Sequence, residues 1–184
     1  MQEHVLQQAS IAPVQMTPGN ADVVMIRGAP GAGKSQAAKA LTSFFPRGVK
    51  VEVDILRKMV ISVDWKNQQE HINLLRVAAR VTHDFVSLGF RPVIVVDTFS
   101  GDKFRRFIDT LRQLDGSLTI KLVGLYVSDE VLRARLEARP VDEFKDFSIC
   151  KKLNEDILKM SHHSEFQIDT TELSPRQTAE ERRP

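Results

Sequence analysis

Apolar positions along the chain fall into short continuous runs separated by stretches of helical spacing. Val23, Val24, Met25 and Ile26 form such a run, the signature of a parallel strand buried on both faces. It leads directly into a glycine-rich turn. A helix is predicted next, with Ala38, Leu41 and Phe45 on one face and Pro46 as its stop. Val49, Val51 and Val53 alternate as a second strand ending at Asp54. The spacing of Leu74, Ala78, Val81, Phe85 and Leu88 predicts a long helix from about Gln68 to Leu88, capped by Gly89.

The same alternation continues to the C-terminal region. Pro92 opens a third strand, Val93 to Val96, which ends at Asp97. Phe104, Phe107, Ile108, Leu111 and Leu114 mark an amphipathic helix, and a fourth strand spans about Ile120 to Val127. A helix carrying Leu132 and Leu136 leads to Arg139 and Pro140. Residues 141–150 read as loop, about 151–160 as a short helix and 166–169 as a fifth strand. Ser174-Pro175-Arg176-Gln177 has the form of a capping box with proline at the first helical position, predicting a last helix. Strands alternating with helices in this way require right-handed crossovers and a parallel sheet covered on both faces. The expected organisation is a leader over residues 1–20, which lacks sustained periodicity, and one α/β domain over 21–184.

Composition narrows the function classes. A length of 184 residues suits one domain. With 42% hydrophobic and 27% charged residues the chain reads as an ordinary globular protein. A net charge of +2 is too small to announce nucleic acid as a partner, so anion binding has to rest on local residues. The single cysteine, Cys150, can form neither an internal disulfide nor a paired-cysteine zinc site, which favours a reducing cytoplasm. No apolar run reaches a membrane span, and residues 1–20 lack the order of a signal peptide.

The chemistry concentrates at a few positions. Gly28-Ala29-Pro30-Gly31-Ala32-Gly33-Lys34-Ser35 matches GxxxxGK[ST] between a buried strand and a helix. Its glycines let successive backbone N–H groups turn toward phosphate oxygens, and the helix N-terminus adds its positive end. Lys34 is expected to neutralise the β- and γ-phosphates of ATP, and the Ser35 hydroxyl to ligate magnesium. Asp97, closing an apolar strand, is the candidate second magnesium-holding group. Asp97-Thr98-Phe99 lacks the glutamate that a hydrolytic motor uses to activate water, and no NKxD-type motif follows the fourth strand as in a GTPase. Asp54 and Arg57 lie near the carboxyl edge of the sheet, where ligands bind. A carboxylate there can accept the proton of an attacking hydroxyl, and an arginine one turn on can orient an anion. Arg133, Arg135 and Arg139 follow the fourth strand; the last two, four apart, are candidates for a lid over the phosphates at about 133–150.

In this order, GAPGAGKS, DILR at 54–57, VIVVDTFS at 93–100, RARLEARP at 133–140 and IDTTELSP at 168–175 make the chain similar to a group of small P-loop kinases. The group, of AAA type, includes the kinase half of 5′-polynucleotide kinases, chloramphenicol phosphotransferase and the zeta toxins. The resemblance spans roughly residues 22–178. It implies a five-stranded sheet of order 2-3-1-4-5, Asp54 as catalytic base, Arg57 as a positioning arginine, Asp97 as the strand-three carboxylate and Arg135 with Arg139 as lid arginines. It also implies that the IDTTELSP turn sits near adenine. Asp97-Thr98-Phe99 departs from the DTN of polynucleotide kinases, so a nucleic-acid 5′ end is possible but not favoured over a metabolite or antibiotic hydroxyl. The expected activity is ATP-dependent phosphoryl transfer; the alternative is an ATP-binding switch that transfers nothing.

Overall fold

The computed structural model describes residues 21–159, 162 and 164–181. The leader expected at 1–20 lies outside them. Five parallel strands, β1 (Val23–Gly28), β2 (Val49–Glu52), β3 (Val93–Val96), β4 (Ile120–Tyr126) and β5 (Glu165–Asp169), form one sheet of order β2-β3-β1-β4-β5. This is the order that the resemblance to small P-loop kinases implies. β1 and β3 are buried at every position, as their unbroken apolar runs require of strands covered on both sides.

Alternate side chains of the central strands feed two cores. Val23 and Met25 of β1 with Val93 and Val95 of β3 pack against α3 (Gln68–Ser87) and α4 (Lys103–Leu114). Val24, Ile26, Ile94 and Val96 pack on the other side against α1 (Lys34–Thr42) and Ala179 of α7 (Pro175–Glu180). A smaller cluster joins Leu132 and Leu136 of α5 (Asp129–Glu137) to Cys150 of α6 (Phe147–Lys159). The remaining helix, α2 (Val53–Lys58), follows β2 without a gap. Among the described residues no helix is long and apolar enough to cross a membrane.

Several ends form as the local chemistry dictates. α7 has the full capping box between Ser174 and Gln177, with Pro175 at its start. α3 ends in a Schellman motif: Gly89 sits at φ +82°, its N–H donates to the Val86 carbonyl, and Phe90 N–H donates to Phe85. The rings of Phe85 and Phe90 close the motif edge to face at 5.7 Å.

Three elements differ from expectation. β2 stops at Glu52, so Asp54 stands in the first turn of α2 and not on a strand end. α3 buries His71, Leu75, Ala78, Ala79, Thr82 and Val86, a stripe turned about one residue from the predicted one; Leu74, Val81 and Phe85 are half-buried and Leu88 is exposed. The rotation carries the His71 imidazole inward, where it finds a polar partner. α6 begins at Phe147, several residues early, because Asp146 caps it: Asp146 Oδ1 accepts from Ile149 N–H at 3.0 Å.

Candidate active site

The glycine-rich loop leaves the end of β1 and enters α1 at Lys34. Gly31 and Gly33 adopt φ of +89° and +93°, values that side chains resist, so the turn depends on glycine there. A Cβ on Gly28 would also come within 2.7 Å of the Leu125 carbonyl of β4. Lys34 Nζ folds back and donates to the Ala29 carbonyl at 2.9 Å. Burial depresses its pKa to about 8, against the opposing pull of Asp97 and Asp54. A cation so poorly solvated is poised to take an anionic partner.

Three acidic side chains surround this lysine or its neighbour. Glu52, at the end of β2, accepts from Ser35 Oγ at 2.9 Å and also pairs with Lys50. Burial alone would raise its pKa; the hydrogen bonds from Lys50 and Ser35 bring it below the usual carboxylate value. Asp97, just beyond β3, is buried, yet it too is held below the usual range. Burial acts against ionisation there, and hydrogen bonds from His71 and from the Phe99 amide, with the charge of Lys34, outweigh it. Asp54 behaves oppositely. Burial of its surroundings, then repulsion from Asp97, push its carboxyl upward, while Lys34 and Arg57 pull it down. Because the Asp54 side chain keeps 64% of its surface exposed, solvent screens much of that shift.

The arginines divide by environment. Arg57 is buried against Trp65: its guanidinium carbon stands 4.4 Å from the indole ring centroid, and Nη2 donates to the Trp65 carbonyl at 3.2 Å. Asp54 lies 3.9 Å from Arg57 Nη1. Arg135 clasps the loop from above, donating to the Gly31 carbonyl at 3.4 Å, to Thr170 Oγ1 at 3.0 Å and to the Thr170 carbonyl at 2.7 Å. Thr170 Oγ1 lies 3.1 Å from the Ala32 carbonyl, so the turn after β5 is stitched to the back of the loop. Arg139 stands past the end of α5, ion-paired with Glu143 and close enough to Lys34 and Cys150 to act on both electrostatically. Arg57 and Arg139 each keep a buried Nε without a hydrogen-bond partner among the described residues. Arg133 turns away and stacks 3.8 Å from the Phe147 ring centroid.

The fold thus brings Lys34, Ser35, Asp54, Arg57, Asp97, Arg135 and Arg139 to one edge. Glu52, His71 and Lys103 join them without having been singled out in the sequence. Glu52 could have been suspected from its place two residues before Asp54 on an alternating strand. His71 carries no motif at all.

Among the described residues no group of three or more His, Cys, Asp or Glu side chains could hold a metal ion unaided. Magnesium commonly takes one or two protein oxygens and completes its shell with water and phosphate, a demand that a hydroxyl and a carboxylate can meet. Ser35 Oγ, Asp97 and Glu52 are the oxygens available, and the backbone of residues 28–35 could receive phosphate.

The fold is the one that small P-loop kinases share. The chain belongs to the AAA domain family, whose sequence profile matches residues 23–160. No curated protein matches it. Among solved structures, the tunicamycin resistance protein of Deinococcus radiodurans is 21% identical, with a TM-score of 0.66 over 87% of this chain and 92% of that one. A gluconokinase from Sinorhizobium meliloti 1021 is 18% identical, with a TM-score of 0.59 over 87% of each chain. Shikimate kinase from Acinetobacter baumannii is 17% identical, with a TM-score of 0.57 over 86% of this chain and 89% of that one. At these identities the likeness is one of fold.

Proposed function

We propose that this protein is an ATP-dependent phosphotransferase that moves the γ-phosphoryl group to a hydroxyl, a small-molecule hydroxyl first and a nucleic-acid 5′ end second. The observation that carries the reading is the convergence on the loop: Lys34 folds over it, Asp97 is buried and held by His71 and the Phe99 amide, and Asp54 stands open to solvent beside Arg57, two carboxylates in opposite environments. Such a split assigns different work to the two groups. Asp97, kept ionised, suits cation holding. Asp54, exposed and pushed toward stronger basicity, suits proton acceptance.

In the proposed reaction the acceptor hydroxyl gives its proton to an Asp54 oxygen as its own oxygen bonds to the γ-phosphorus. The bond from that phosphorus to the β–γ bridging oxygen breaks, and ADP leaves with the electron pair. Lys34 and the loop amides meet the charge on the phosphoryl oxygens, and Arg139, whose Nε is unspent, approaches as the segment 133–150 closes as a lid. Arg57 orients the acceptor side. Ser35 and Asp97, with Glu52 beside them, would hold magnesium, which when bound supplies positive charge to the phosphate oxygens. The kinases among the structural neighbours support the reaction class, and the buried, lone Cys150 suits a cytoplasmic setting.

The test is transfer of label from γ-labelled ATP to a panel of sugars, nucleosides, aminoglycosides, phenicols and 5′-hydroxyl oligonucleotides. Label on an acceptor, dependent on that acceptor and lost in Lys34→Ala, is expected. Tight ATP binding with no transfer to any hydroxyl and no loss of ATP would overturn the reading in favour of a switch.

A further inference from the structure

Behind Asp97 runs a chain of polar side chains that the proposed reaction does not use. Lys103 Nζ donates to Gln68 Oε1 at 2.7 Å and approaches His71 Nδ1 at 3.2 Å and Ser100 Oγ at 3.4 Å. Three N–H groups therefore meet three acceptors, which is the full capacity of an ammonium and leaves His71 Nδ1 no choice but to accept. The other ring nitrogen, Nε2, then carries the proton and donates to Asp97 Oδ1 at 3.2 Å. Asp97 Oδ2 is fixed independently by Phe99 N–H at 2.8 Å. Phe99 reaches that position at φ +46°, uncommon for a bulky residue, and its buried ring is held edge on to Phe107 at 5.2 Å. Strain of this kind persists where the surroundings impose it.

We propose that Lys103 and His71 form a directional hydrogen-bond chain that positions the Asp97 carboxylate for magnesium, and that His71 is held as the Nε2–H tautomer. Each Asp97 oxygen spends one lone pair on the chain or the Phe99 amide and keeps another for the metal's water shell. Lys34 acts on Asp97 electrostatically but is needed by the phosphates once nucleotide arrives. Lys103, which meets the carboxylate through His71 and is committed to no ligand, supplies a positive charge that stays in place throughout turnover. The rotation of α3 that buries His71 has its explanation here. The proposal rests on the phosphotransfer reading for the identity of the cation, while the order of donors stands on the geometry.

Two measurements test it on the full chain. Nitrogen-15 NMR of the wild-type imidazole should show His71 protonated at Nε2 and bare at Nδ1; a proton on Nδ1 would overturn the chain, and no mutant is needed. Calorimetry of ATP binding with and without magnesium then tests its role. Partners of metal-holding groups typically contribute about 10–100-fold in metal affinity. His71→Met should therefore cut the magnesium-dependent gain in ATP affinity by at least about tenfold while binding in chelator stays the same. His71→Gln, which offers a donor toward Asp97 and an acceptor toward Lys103, should recover most of the gain. A folded His71→Met protein with the full gain would overturn the positioning role. A wild-type protein with no gain at all would instead remove magnesium from the reading and the inference with it.

Discussion

The Ser35 hydroxyl donates to Glu52 Oε2 at 2.9 Å, so the group expected at the metal already faces a second carboxylate across the gap between α1 and β2. Glu52→Gln keeps an acceptor for that hydroxyl and removes the charge. The magnesium concentration for half-maximal transfer should rise by about tenfold, in the range usual for groups supporting a metal site. ATP affinity in chelator should stay within a few-fold, which a calorimetric titration beside the magnesium dependence of the rate will check.

Lys34 links function to stability. Its folded-state pKa, about 8, lies below the ordinary lysine value of 10.5, so the unfolded chain holds the proton more tightly. Below about pH 8 both states are protonated and the folded state bears the cost of the buried charge. Between about 8 and 10.5 the unfolded state binds more protons, and this residue's contribution to stability rises with pH. Lys34→Met should abolish most transfer yet stabilise the ligand-free protein at pH 7 by roughly 1–3 kcal/mol, since each pKa unit corresponds to about 1.4 kcal/mol. The rise in stability above pH 8 should shrink in the mutant. Thermal melts across pH report both effects.

Arg135 and Arg139 should separate kinetically. Arg139→Ala is expected to lower kcat more than ATP affinity, the pattern of a group engaged mainly in the transition state. Arg135 already bridges Gly31 and Thr170, so Arg135→Ala should raise the KM for ATP and lower stability by about 1–3 kcal/mol through the charged donor it withdraws from the Gly31 and Thr170 carbonyls. Steady-state kinetics with denaturant melts will sort the two. A KM effect for Arg139 alone would make it a ground-state clamp.

Gly124 is required by a buried ion pair. Arg27 of β1 and Glu165 of β5 pair through Nε–Oε1 at 2.5 Å and Nη2–Oε2 at 2.8 Å, both side chains sealed from solvent, with the guanidinium 4.6 Å from the Phe104 ring centroid. A Cβ on Gly124 would overlap Glu165 Oε1. Gly124→Ala should destabilise by about 3–5 kcal/mol, as breaking a buried pair does. A urea midpoint within a few tenths molar of wild type would contradict this.

The strands themselves and the loop were legible because both are local signals, whereas the order 2-3-1-4-5 came from the resemblance to small P-loop kinases. GxxxxGKS needs only its neighbours to form, and Asp97 is conspicuous at the end of an apolar run. Other features depend on partners far along the chain. Leu74, Val81 and Phe85 satisfy helical spacing as well as the true stripe does; His71 turns inward to partners 26 and 32 residues away, Asp97 and Lys103. The start of α6 was legible in principle, since Asp146 caps it, but the charged run before it reads as loop. Arg135 and Arg139 share a spacing yet not an environment, because α5 ends between them.

The central claim is that Asp54 accepts the acceptor's proton, and Asp54→Asn tests it most directly. The change is nearly isosteric, and Asp54 lies in the first turn of α2 with its side chain largely exposed, so folding should be little affected. With the acceptor found in the label-transfer panel, the rate of transfer should fall by about 10²–10⁴-fold, the usual share of general-base catalysis. Affinity for ATP with magnesium should stay within a few-fold of wild type. Undiminished transfer by a folded, ATP-binding Asp54→Asn protein would contradict the account.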